Sequence, residues 1–552
     1  MKTKKLVIVG GVAGGASAAV RARRLSESLD IVVLERGHHV SFANCGLPYH
    51  IGGDIAQREA LLLHTPESLH ARFALDVRVN HEAVAINRQA KTITVHDHAQ
   101  QRHYEESYDS LLLAPGAAPI RPPIPGIDDP RVFTLRNVSD MDSLLAALTP
   151  DVRKAAVIGA GFIGLEMVEA LHQRRLDVTL IERDSQILIP LDAEMTAPLV
   201  ETLRQKQVAL HLGDGLTAIE RSERLQLSLA SGKKIEADIV LLAIGVRPES
   251  TLAREAGLEL GIGGAIVVDA QQRTSDPAIF AVGDAVQVKH VVSGQPTLLP
   301  LAGPANRQGR IAADVIVGGH AAYRGSQGTA ICKLFEQTAG ATGMNEKALK
   351  AAGIRYRRLF LHGNDHASYY PGATPISMKL LFSAEDGRIL GAQAVGQNGV
   401  DKRLDVLAVA IQAGMTIDDL AEMELCYAPP YGSAKDLVNI AGMAAQNLAS
   451  GLLSLTEPEA VASAVAAGAL LVDVRQPEEV ARETIPGAIN VPLPQLRSLA
   501  ETALPKKRPL VVYCQVGLRA YVAQRFLQQS GWSVSSLNGG YRTWRMFQTV
   551  NG

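Results

Sequence analysis

One cysteine near the start of the chain stands in a polar, glycine-containing segment. Cys45 lies within SFANCGLPYH, residues 41–50. A free cysteine is most often a small core residue, but Gly46, Pro48 and the polar neighbours make this segment a poor core strand. Reactive sulfur chemistry needs the thiolate, which a helix N-terminus and nearby positive charge favour. We predict that Cys45 is reactive and that Asn44 is the N-cap of the helix that follows.

A second cysteine, Cys514, ends an apolar run. The segment LVVY, residues 510–513, leads into CQVGLRA, residues 514–520. A loop of backbone N–H groups, a following helix N-terminus and Arg519 together stabilise an anion carried on sulfur. A phosphate would want a loop longer by one residue, so the sequence predicts a sulfane sulfur on Cys514. Cys332 and Cys426 lack such a setting and are predicted to be core residues.

A strand, a glycine loop, a helix and a second strand ending in an acid precede Cys45. This order sets a pyrophosphate on a helix N-terminus and a ribose on a carboxylate. Val12 stands where the second glycine of the pattern would be. The residues predicted to bind this first dinucleotide are Gly10, Gly11, Val12, Ala13, Gly14, Gly15, Glu35, Arg36, Ala114, Gly116, Gly283 and Asp284.

The same order recurs further along the chain, with all three glycines in place. Gly159, Gly161 and Gly164 follow an apolar strand, and the next strand ends on Glu182. A carboxylate accepts hydrogen bonds from a ribose 2′-hydroxyl and repels a 2′-phosphate, which favours NADH. Arg183 leaves NADPH open. The predicted contacts of this second dinucleotide are Gly159, Gly161, Phe162, Ile163, Gly164, Glu182 and Gly245.

The pattern predicts an α/β protein of four domains. The first is discontinuous, residues 1–150 and 250–330, and surrounds a second nucleotide-binding domain, residues 151–249. Residues 331–450 read as an α+β domain, with strands at Ala330–Phe335 and Met378–Phe382 and helices at Leu404–Ala413 and Ser433–Ala449. Residues 455–552 form a last α/β domain.

Composition narrows the class of protein. Lys plus Arg number 55 against 56 Asp plus Glu, so no basic excess points to nucleic acid or an anionic membrane. The apolar run 6–20 after the N-terminal lysines resembles a signal peptide, but it contains the glycine loop. Four cysteines in 552 residues suit a reducing cytoplasm. No His or Cys group has metal-ligand spacing, so no metal is expected.

These motifs resemble a known family. Residues 1–450 resemble the coenzyme A disulfide reductases, single-cysteine flavoenzymes of the pyridine nucleotide-disulfide oxidoreductases, and residues from 455 resemble a rhodanese domain. The fused pair resembles the NADH-dependent coenzyme A persulfide and polysulfide reductases. The resemblance implies FAD in the first domain, NADH in the second, and a homodimer formed through residues 331–450.

The resemblance also implies roles for individual residues. Tyr369 and Tyr427 match two tyrosines that reach the partner subunit's cysteine, and Cys514 with Arg519 would deliver sulfane sulfur. Coenzyme A contacts map onto Ser17, Arg21, Arg24, Ser41, Asn44, Arg72, Asn306 and Lys435. Related disulfide enzymes carry a second cysteine where this chain has His50, so Cys45 would cycle as a mixed disulfide or a persulfide and release sulfide.

Three alternatives stay open at this point. One is a coenzyme A disulfide reductase with an accessory sulfurtransferase. Another is an NADH oxidase or peroxidase whose cysteine cycles through sulfenic acid. The third is a persulfide carrier or redox sensor that does not turn over.

Overall fold

The computed structural model describes residues 4–551. Met1–Thr3 and Gly552, at the outer limits of the predicted first and last domains, lie outside the described residues. The chain forms two compact units, Met1–Ser185 with Val208–Gly328 and Gln186–Gln207 with Thr329–Gly552. The segment Gln186–Gln207 therefore packs in the second unit, although it falls within the predicted second nucleotide-binding domain.

The first unit begins with strands and helices in alternation. In chain order they are β1 (Lys5–Val9), α1 (Ala13–Leu25), β2 (Asp30–Glu35), α2 (Leu47–Gly52), α3 (Pro66–Phe73), β3 (Asp76–Val79), β4 (His81–Asn87), β5 (Thr92–Asp97), β6 (Arg102–Ser107), β7 (Ser110–Leu113) and β8 (Ala117–Pro119). Strands β4, β5 and β6 form a separate antiparallel sheet.

The alternation then starts again. Its elements are β9 (Val132–Phe133), α4 (Val138–Ala147), β10 (Lys154–Ile158), α5 (Phe162–Gln173), β11 (Asp177–Glu182), α6 (Ala197–Gln205), β12 (Ala209–Leu212), β13 (Leu216–Glu220), β14 (Leu225–Leu229), β15 (Lys234–Ala237) and β16 (Ile239–Leu242). The unit ends with β17 (Val246–Pro248), α7 (Thr251–Glu255), β18 (Ile279–Ala281), β19 (Val288–Lys289), β20 (Pro296–Thr297) and α8 (Ala302–Ile316).

Two parallel five-stranded sheets organise this unit. Their orders are β18-β7-β1-β2-β3 and β12-β11-β10-β16-β9. The central strands of both sheets are buried, as expected for parallel sheets covered by helices on both faces. Strand β18 belongs to the first sheet, but in the sequence it follows every strand of the second sheet. The first sheet is therefore built from two separate stretches of sequence.

The second unit contains an antiparallel sheet. Its elements are β21 (Ala330–Leu334), β22 (Gln337–Gly343), α9 (Glu346–Ala351), β23 (Tyr356–Asn364), β24 (Pro375–Ser383), β25 (Ile389–Gly396), α10 (Val400–Ala413), α11 (Ile417–Glu422) and α12 (Leu437–Ala449), with strand order β21-β22-β25-β24-β23. The helix predicted from Ser433 begins at Leu437, because the Asp436 carboxylate caps it by accepting the Val438 N–H at 3.1 Å.

A last parallel sheet follows in the same unit. Its elements are β26 (Leu455–Thr456), α13 (Val461–Ala466), β27 (Leu470–Asp473), α14 (Pro477–Val480), β28 (Ile489–Asn490), α15 (Leu493–Ala503), β29 (Leu510–Tyr513), α16 (Leu518–Gln529), β30 (Val534–Leu537) and α17 (Gly540–Asn551), with order β26-β30-β29-β27-β28. The predicted mixed α/β fold class is confirmed. Within residues 4–551 no helix is both long and apolar enough to cross a bilayer.

Candidate functional site

The first glycine loop requires its first and third glycines. Gly10 has φ of +95°, and a Cβ there would lie 2.2 Å from the Ala114 carbonyl oxygen. A Cβ on Gly15 would lie 1.8 Å from the Gly10 carbonyl oxygen. Any side chain would therefore push α1 away from β1 and β7. The close approach keeps the N-terminus of α1 against the carboxyl ends of these strands, where a pyrophosphate binds in such sheets.

The second loop repeats this geometry. A Cβ on Gly159, with φ of +101°, would lie 2.4 Å from the Ala243 carbonyl oxygen, and one on Gly164 would lie 1.9 Å from the Gly159 carbonyl oxygen. Gly161 faces open space, since no atom lies within 4 Å of its virtual Cβ. Phe162 and Ile163 open α5 directly after it. The open position leaves room for a phosphate to approach the backbone.

The two strand-end acids hold matching positions. Glu35 accepts the Gly11 and Gly37 N–H groups, each at 2.9 Å. Glu182 accepts the Ala160 N–H at 2.7 Å and the Asp184 N–H at 2.9 Å. Each carboxylate thus lies beside its own glycine loop, as a ribose acceptor must.

The remaining predicted cofactor residues surround the same strand ends. Arg36 makes a bidentate ion pair with Glu249, at 2.7 and 2.8 Å. Gly116 and Gly245 have φ of +75° and +107° beside the β8–β17 ribbon. Burial raises the pKa of the Asp284 carboxyl in the turn after β18. Val12 and Ala13 lie at the start of α1. The donors, acceptors and free space fit one dinucleotide at each glycine loop.

Cys45 lies in a 3₁₀ turn, Asn44–Gly46, that runs directly into α2. The prediction that Asn44 caps α2 is wrong: Gly46 occupies the N-cap position, because Asn44 lies inside the turn. The Asn44 Oδ1 atom instead accepts the Cys45 N–H at 3.1 Å and lies 3.7 Å from the Cys45 Sγ atom. A Cβ at Gly46 would lie 2.5 Å from the Leu61 side chain, so any larger residue there would require Leu61 to move.

The electrostatic environment of Cys45 differs from the expected one. The residue is exposed, yet partial desolvation, followed by the carboxylates of Glu166 and Asp284, raises the pKa of its thiol. We expected a lowered pKa from positive charge, but the neighbouring charges are negative. Glu166 accepts a hydrogen bond from the Tyr49 hydroxyl at 3.1 Å. Sequence reasoning missed Glu166, although an acid within the apolar first turns of α5 was a usable signal.

Several predicted coenzyme A contacts meet between α1 and α8. The Ser17 hydroxyl donates to Asn306 Oδ1 at 2.5 Å, and Arg21 pairs with Asp314 at 2.7 Å. Arg24 is exposed at the end of α1. These residues provide two arginines, the ion-paired Arg21 and the exposed Arg24, and polar side chains along one helix pair. Arginines and polar groups in such a row suit a polyanion.

The other predicted coenzyme A contacts lie elsewhere. The Ser41 N–H donates to the Gly11 carbonyl at 2.9 Å, which ties the Cys45 segment to the first glycine loop. Arg72 lies exposed on α3 over the Phe73 ring, and the described contacts join it to no other predicted coenzyme A residue. Lys435 is exposed in the second unit.

The two predicted tyrosines meet in the second unit. The hydroxyl oxygens of Tyr369 and Tyr427 lie 2.9 Å apart, and this hydrogen bond raises the pKa of Tyr369. Both rings are exposed, Tyr369 to 73%. Cys426, beside Tyr427, is exposed as well, so its prediction as a core residue is wrong: it lies in a loop without regular structure between α11 and α12. Cys332 is buried as predicted.

Cys514 directly follows β29 and is fully buried. Its Sγ atom accepts the Gly517 N–H at 3.2 Å, immediately before α16 begins. Arg519 makes a bidentate ion pair with Glu479, at 2.6 and 2.7 Å, which lowers the pKa of Glu479 to about 2. Sequence reasoning missed Glu479.

A second arginine supports the Cys514 loop. Arg475 is buried, pairs with Asp473 at 2.7 Å and donates to the Gln515 side chain at 3.0 Å. Sequence reasoning missed this role, although the strand-end position of Arg475 was the available signal. The loop therefore has a backbone donor at the sulfur and two cations beside it, a setting that stabilises a sulfur anion.

Three family models match the chain. They are pyridine nucleotide-disulphide oxidoreductase over residues 4–309, its dimerisation domain over 329–437 and a rhodanese-like domain over 457–546. A coenzyme A disulfide reductase of Staphylococcus aureus is 36% identical over 444 residues, which are 80% of this chain and 100% of that protein.

Two solved structures cover nearly the whole chain. Reduced Bacillus anthracis CoADR-RHD is 47% identical, has a TM-score of 0.97 and matches 100% of this chain and 98% of its own. A NAD-dependent persulfide reductase from A. fulgidus is 37% identical, has a TM-score of 0.92 and matches 98% of this chain and 100% of its own.

Proposed function

The chain belongs to the pyridine nucleotide-disulphide oxidoreductase family and is an oxidoreductase, and we propose that it reduces coenzyme A persulfide, polysulfide and coenzyme A disulfide. The observation that carries this proposal is the pairing of two differently built cysteine sites in one chain. Cys45 lies beside a glycine-loop dinucleotide site with no second cysteine before Cys332, and Cys514 lies in an anion-stabilising loop.

The cofactors follow from the two loops. Gly10 to Gly15, Glu35 and Asp284 would hold FAD, and Gly159 to Gly164 with Glu182 would hold NADH, whose ribose the Glu182 carboxylate would bind; NADPH is the weaker fit. A bound flavin would supply the two electrons, taken as hydride from the pyridine nucleotide, that return oxidised Cys45 to its thiolate.

The chemistry on Cys45 begins with nucleophilic attack. The Cys45 thiolate attacks the inner sulfur of a coenzyme A persulfide, forms a mixed disulfide with coenzyme A and expels hydrosulfide. Two electrons and one proton then convert the mixed disulfide into the Cys45 thiolate and free coenzyme A thiol. With coenzyme A disulfide the first leaving group is coenzyme A thiolate instead. The Asn44 side chain, which holds the Cys45 N–H, orients the attacking sulfur.

Cys514 supplies the sulfane sulfur in this proposal. The Cys514 thiolate would attack the terminal sulfane sulfur of a polysulfide, the polysulfide shortened by one sulfur would leave, and the resulting Cys514 persulfide would be stabilised by the Gly517 N–H and by Arg519. Attack by coenzyme A thiolate on its outer sulfur would then give coenzyme A persulfide and regenerate the Cys514 thiolate. Ser17, Arg21, Arg24, Ser41, Asn44, Asn306 and Lys435 are the proposed coenzyme A contacts. Arg72 is retained as a weaker candidate.

We also propose a cytoplasmic homodimer. The family match over residues 329–437 to a dimerisation domain supports the dimer. The exposed Tyr369–Tyr427 pair would then protonate or stabilise the thiolate of the partner subunit. One hydroxyl proton of the pair is used in the hydrogen bond between the two tyrosines. The other hydroxyl proton is available to donate to the thiolate.

Separate replacement of the two cysteines tests the proposal. In Cys45→Ser, NADH oxidation coupled to sulfide release is expected to fall by about a thousandfold or more, because the nucleophile is gone. In Cys514→Ser, turnover of polysulfide or thiosulfate-derived sulfur falls, while added coenzyme A persulfide and coenzyme A disulfide are still reduced. Cys332→Ala, at a buried thiol of β21 away from both sites, is the control and retains both activities.

Anaerobic assays with mass spectrometry of released small molecules complete the test. FAD, coenzyme A and a Cys45 adduct of coenzyme A are expected. If Cys514→Ser turned over both polysulfide and coenzyme A persulfide at the wild-type rates, sulfur transfer from Cys514 through coenzyme A to Cys45 would be ruled out. Rapid NADH-dependent peroxide or oxygen reduction without sulfide release would identify an oxidase or peroxidase, and a single sulfur release without turnover would identify a carrier.

A further inference from the structure

A row of imidazoles and a carboxylate crosses the solvent-facing side of the β4–β5–β6 sheet. In the strand register Glu82 on β4 lies opposite His96 on β5, and His96 lies opposite His103 on β6. His98 lies one residue beyond the end of β5, and its ring lies within hydrogen-bonding distance of Glu82. Three of the 15 histidines of the chain therefore share one patch of an antiparallel sheet.

The side chains in this row lie close to one another. His98 Nε2 lies 3.0 Å from Glu82 Oε2. The His96 ring centroid lies 4.3 Å from that of His98 and 4.6 Å from that of His103, with which it stacks. One ligand atom each from Glu82, His96 and His98 falls within 4.8 Å of the others.

These distances suit a transition-metal ion after small side-chain rotations. Tetrahedral Zn²⁺ with bonds of about 2.0–2.1 Å to nitrogen places its ligand atoms about 3.3 Å apart. Glu82 and His96 are half-buried and His98 is exposed, so the rings are free to close by that amount. The two imidazole ligands favour Zn²⁺, Ni²⁺ and Cu²⁺ over Mg²⁺ and Ca²⁺.

The neighbouring charges permit a cation here. Arg36 lies near Glu82, with an Nη1–Oε1 distance of 3.9 Å, but its shorter, bidentate pair is with Glu249, which also pairs with Arg136. Glu105, opposite Thr94 on the same face, adds negative charge. We propose that Glu82, His96 and His98 form a three-ligand site for a divalent transition metal, with open positions for water.

A second group of acids in the chain surrounds a lysine ammonium instead of an open position. Asp192, Glu194 and Glu346 also bring three carboxylate oxygens together, but the buried Lys379 Nζ atom lies 2.7 Å or less from all three. A lysine ammonium already occupies the position that an ion would take. Among the described residues around Glu82, His96 and His98, no lysine plays that part.

The site was not evident in the sequence, because its spacing arises across strands. Glu82 lies 14 residues before His96, and only the antiparallel register of β4 and β5 brings them together. The pattern therefore lacks the short ligand spacing by which metal sites are found in a sequence.

Metal titration of the holoenzyme tests the proposal. Protein freed of metal by a chelator and then dialysed is titrated with Zn²⁺ against a chromogenic competitor, and with Cu²⁺ by electron paramagnetic resonance. We expect one equivalent bound and nitrogen hyperfine splitting from the histidines. Glu82→Gln, His96→Asn and His98→Asn should each weaken binding by about tenfold or more. His211→Asn and His64→Asn, at histidines outside the site, are the matched controls.

The expected and contrary results are distinct. Retained flavin absorbance and an unchanged unfolding midpoint establish that each variant is folded. Wild-type stoichiometry well below one equivalent, or an affinity that the three substitutions leave unchanged, would overturn the site. Because the readout is metal binding, these outcomes are independent of whether the enzyme reduces coenzyme A persulfide.

Discussion

Partial burial and two carboxylates raise the pKa of the Cys45 thiol at the scale of single residues. Partial desolvation contributes most to the raised pKa of the thiol, followed by Glu166 and then Asp284. Both acids also have raised pKa values, chiefly through burial. The chain by itself therefore disfavours the thiolate. The Cys45 thiol therefore has to lose its proton before it attacks a sulfur substrate. A positive group from a bound coenzyme, or an arriving proton acceptor, would favour that loss.

Removing the charge of Glu166 should make Cys45 more reactive. In Glu166→Gln the pKa of Cys45 falls, because a negative neighbour is lost, and alkylation by iodoacetamide at pH 7.5 should accelerate by about two- to tenfold. The measurement is the pH dependence of the alkylation rate. Glu59→Gln, at an exposed acid, is the control and should leave the profile unchanged. An unshifted profile in Glu166→Gln would contradict the assignment.

Buried polar contacts position the two tyrosine loops at the scale of elements. Arg403 on α10 is buried, pairs with Asp436 at 2.7 Å and donates to the Asp365 carbonyl at 2.8 Å. The Ala367 N–H donates to the Pro429 carbonyl. The loop that carries Tyr369 is thereby tied to the loop that carries Tyr427 and to the start of α12.

Loss of Arg403 should therefore cost far more than loss of a surface arginine. Arg403→Met leaves the buried Asp436 carboxylate without its main partner, at a cost of about 3–5 kcal/mol in the free energy of unfolding. Arg355→Met breaks the exposed pair with Glu385 and should cost about 1 kcal/mol or less. Denaturant unfolding of both variants checks this difference, and similar costs would contradict it.

His366 makes the Tyr369 loop sensitive to pH. Its Nδ1 atom lies 2.8 Å from Asp365 Oδ2 and its Nε2 atom 3.2 Å from the Pro371 carbonyl oxygen. Both nitrogens face acceptors, so the protonated ring is favoured and the pKa of His366 is raised, first by the bond to Asp365.

The stabilising contribution of His366 is consequently present below pH 6.5 and lost as pH rises through its raised native-state pKa. We expect the unfolding midpoint of wild type to drop over that interval relative to His366→Gln, which cannot titrate. Parallel midpoints of the two proteins from pH 5.5 to pH 9 would contradict this role.

The last sheet is fastened to the antiparallel sheet at the scale of the whole molecule. The Asn538 side chain accepts the Phe360 N–H of edge strand β23 at 3.0 Å and donates to Glu457 at 3.1 Å. Arg358 pairs with Glu346 and Glu457. Three residues after Asn538, the Tyr541 N–H donates to the Cys514 carbonyl at 2.8 Å. The Cys514 loop is therefore held close to this interface.

A half-buried histidine lies in the same interface. His362 bonds to Ser377 and to Thr543 of α17, and burial lowers its pKa to about 3. Since the unfolded chain protonates first, this contact loses stability as pH falls from 6.5 towards 3.

Removal of the Asn538 side chain should loosen the last domain. Asn538→Ala leaves the buried Phe360 N–H unpaired, at a cost of about 1–3 kcal/mol. Limited proteolysis should then cut faster within residues 450–454, which link α12 to β26. Gln529→Ala, at an exposed residue of α16 in the same domain, should be cut at the wild-type rate. Equal cutting of Asn538→Ala and wild type would mean that other contacts hold the domain.

Local patterns accounted for much of this protein before any contact was known. The glycine loops, the strand-end Glu35 and Glu182, and Cys514 at the end of β29 could all be read from the sequence, because each depends on backbone conformation within a few residues. The α/β class follows from the same regular alternation of apolar strands and helices. The two cysteines predicted to be reactive were singled out by the residues directly beside them.

Tertiary structure alone decided which distant side chains meet. The pKa of Cys45 depends on Glu166, more than 100 residues away, and the Glu82–His96–His98 patch depends on strand register. Asn44 does not cap α2, because it lies inside the turn Asn44–Gly46 and the last residue of that turn, Gly46, takes the N-cap position. The sequence by itself determined the chemistry available to each segment, whereas charge and proton affinity were decided by long-range packing, since electrostatic interactions act through space and not along the chain.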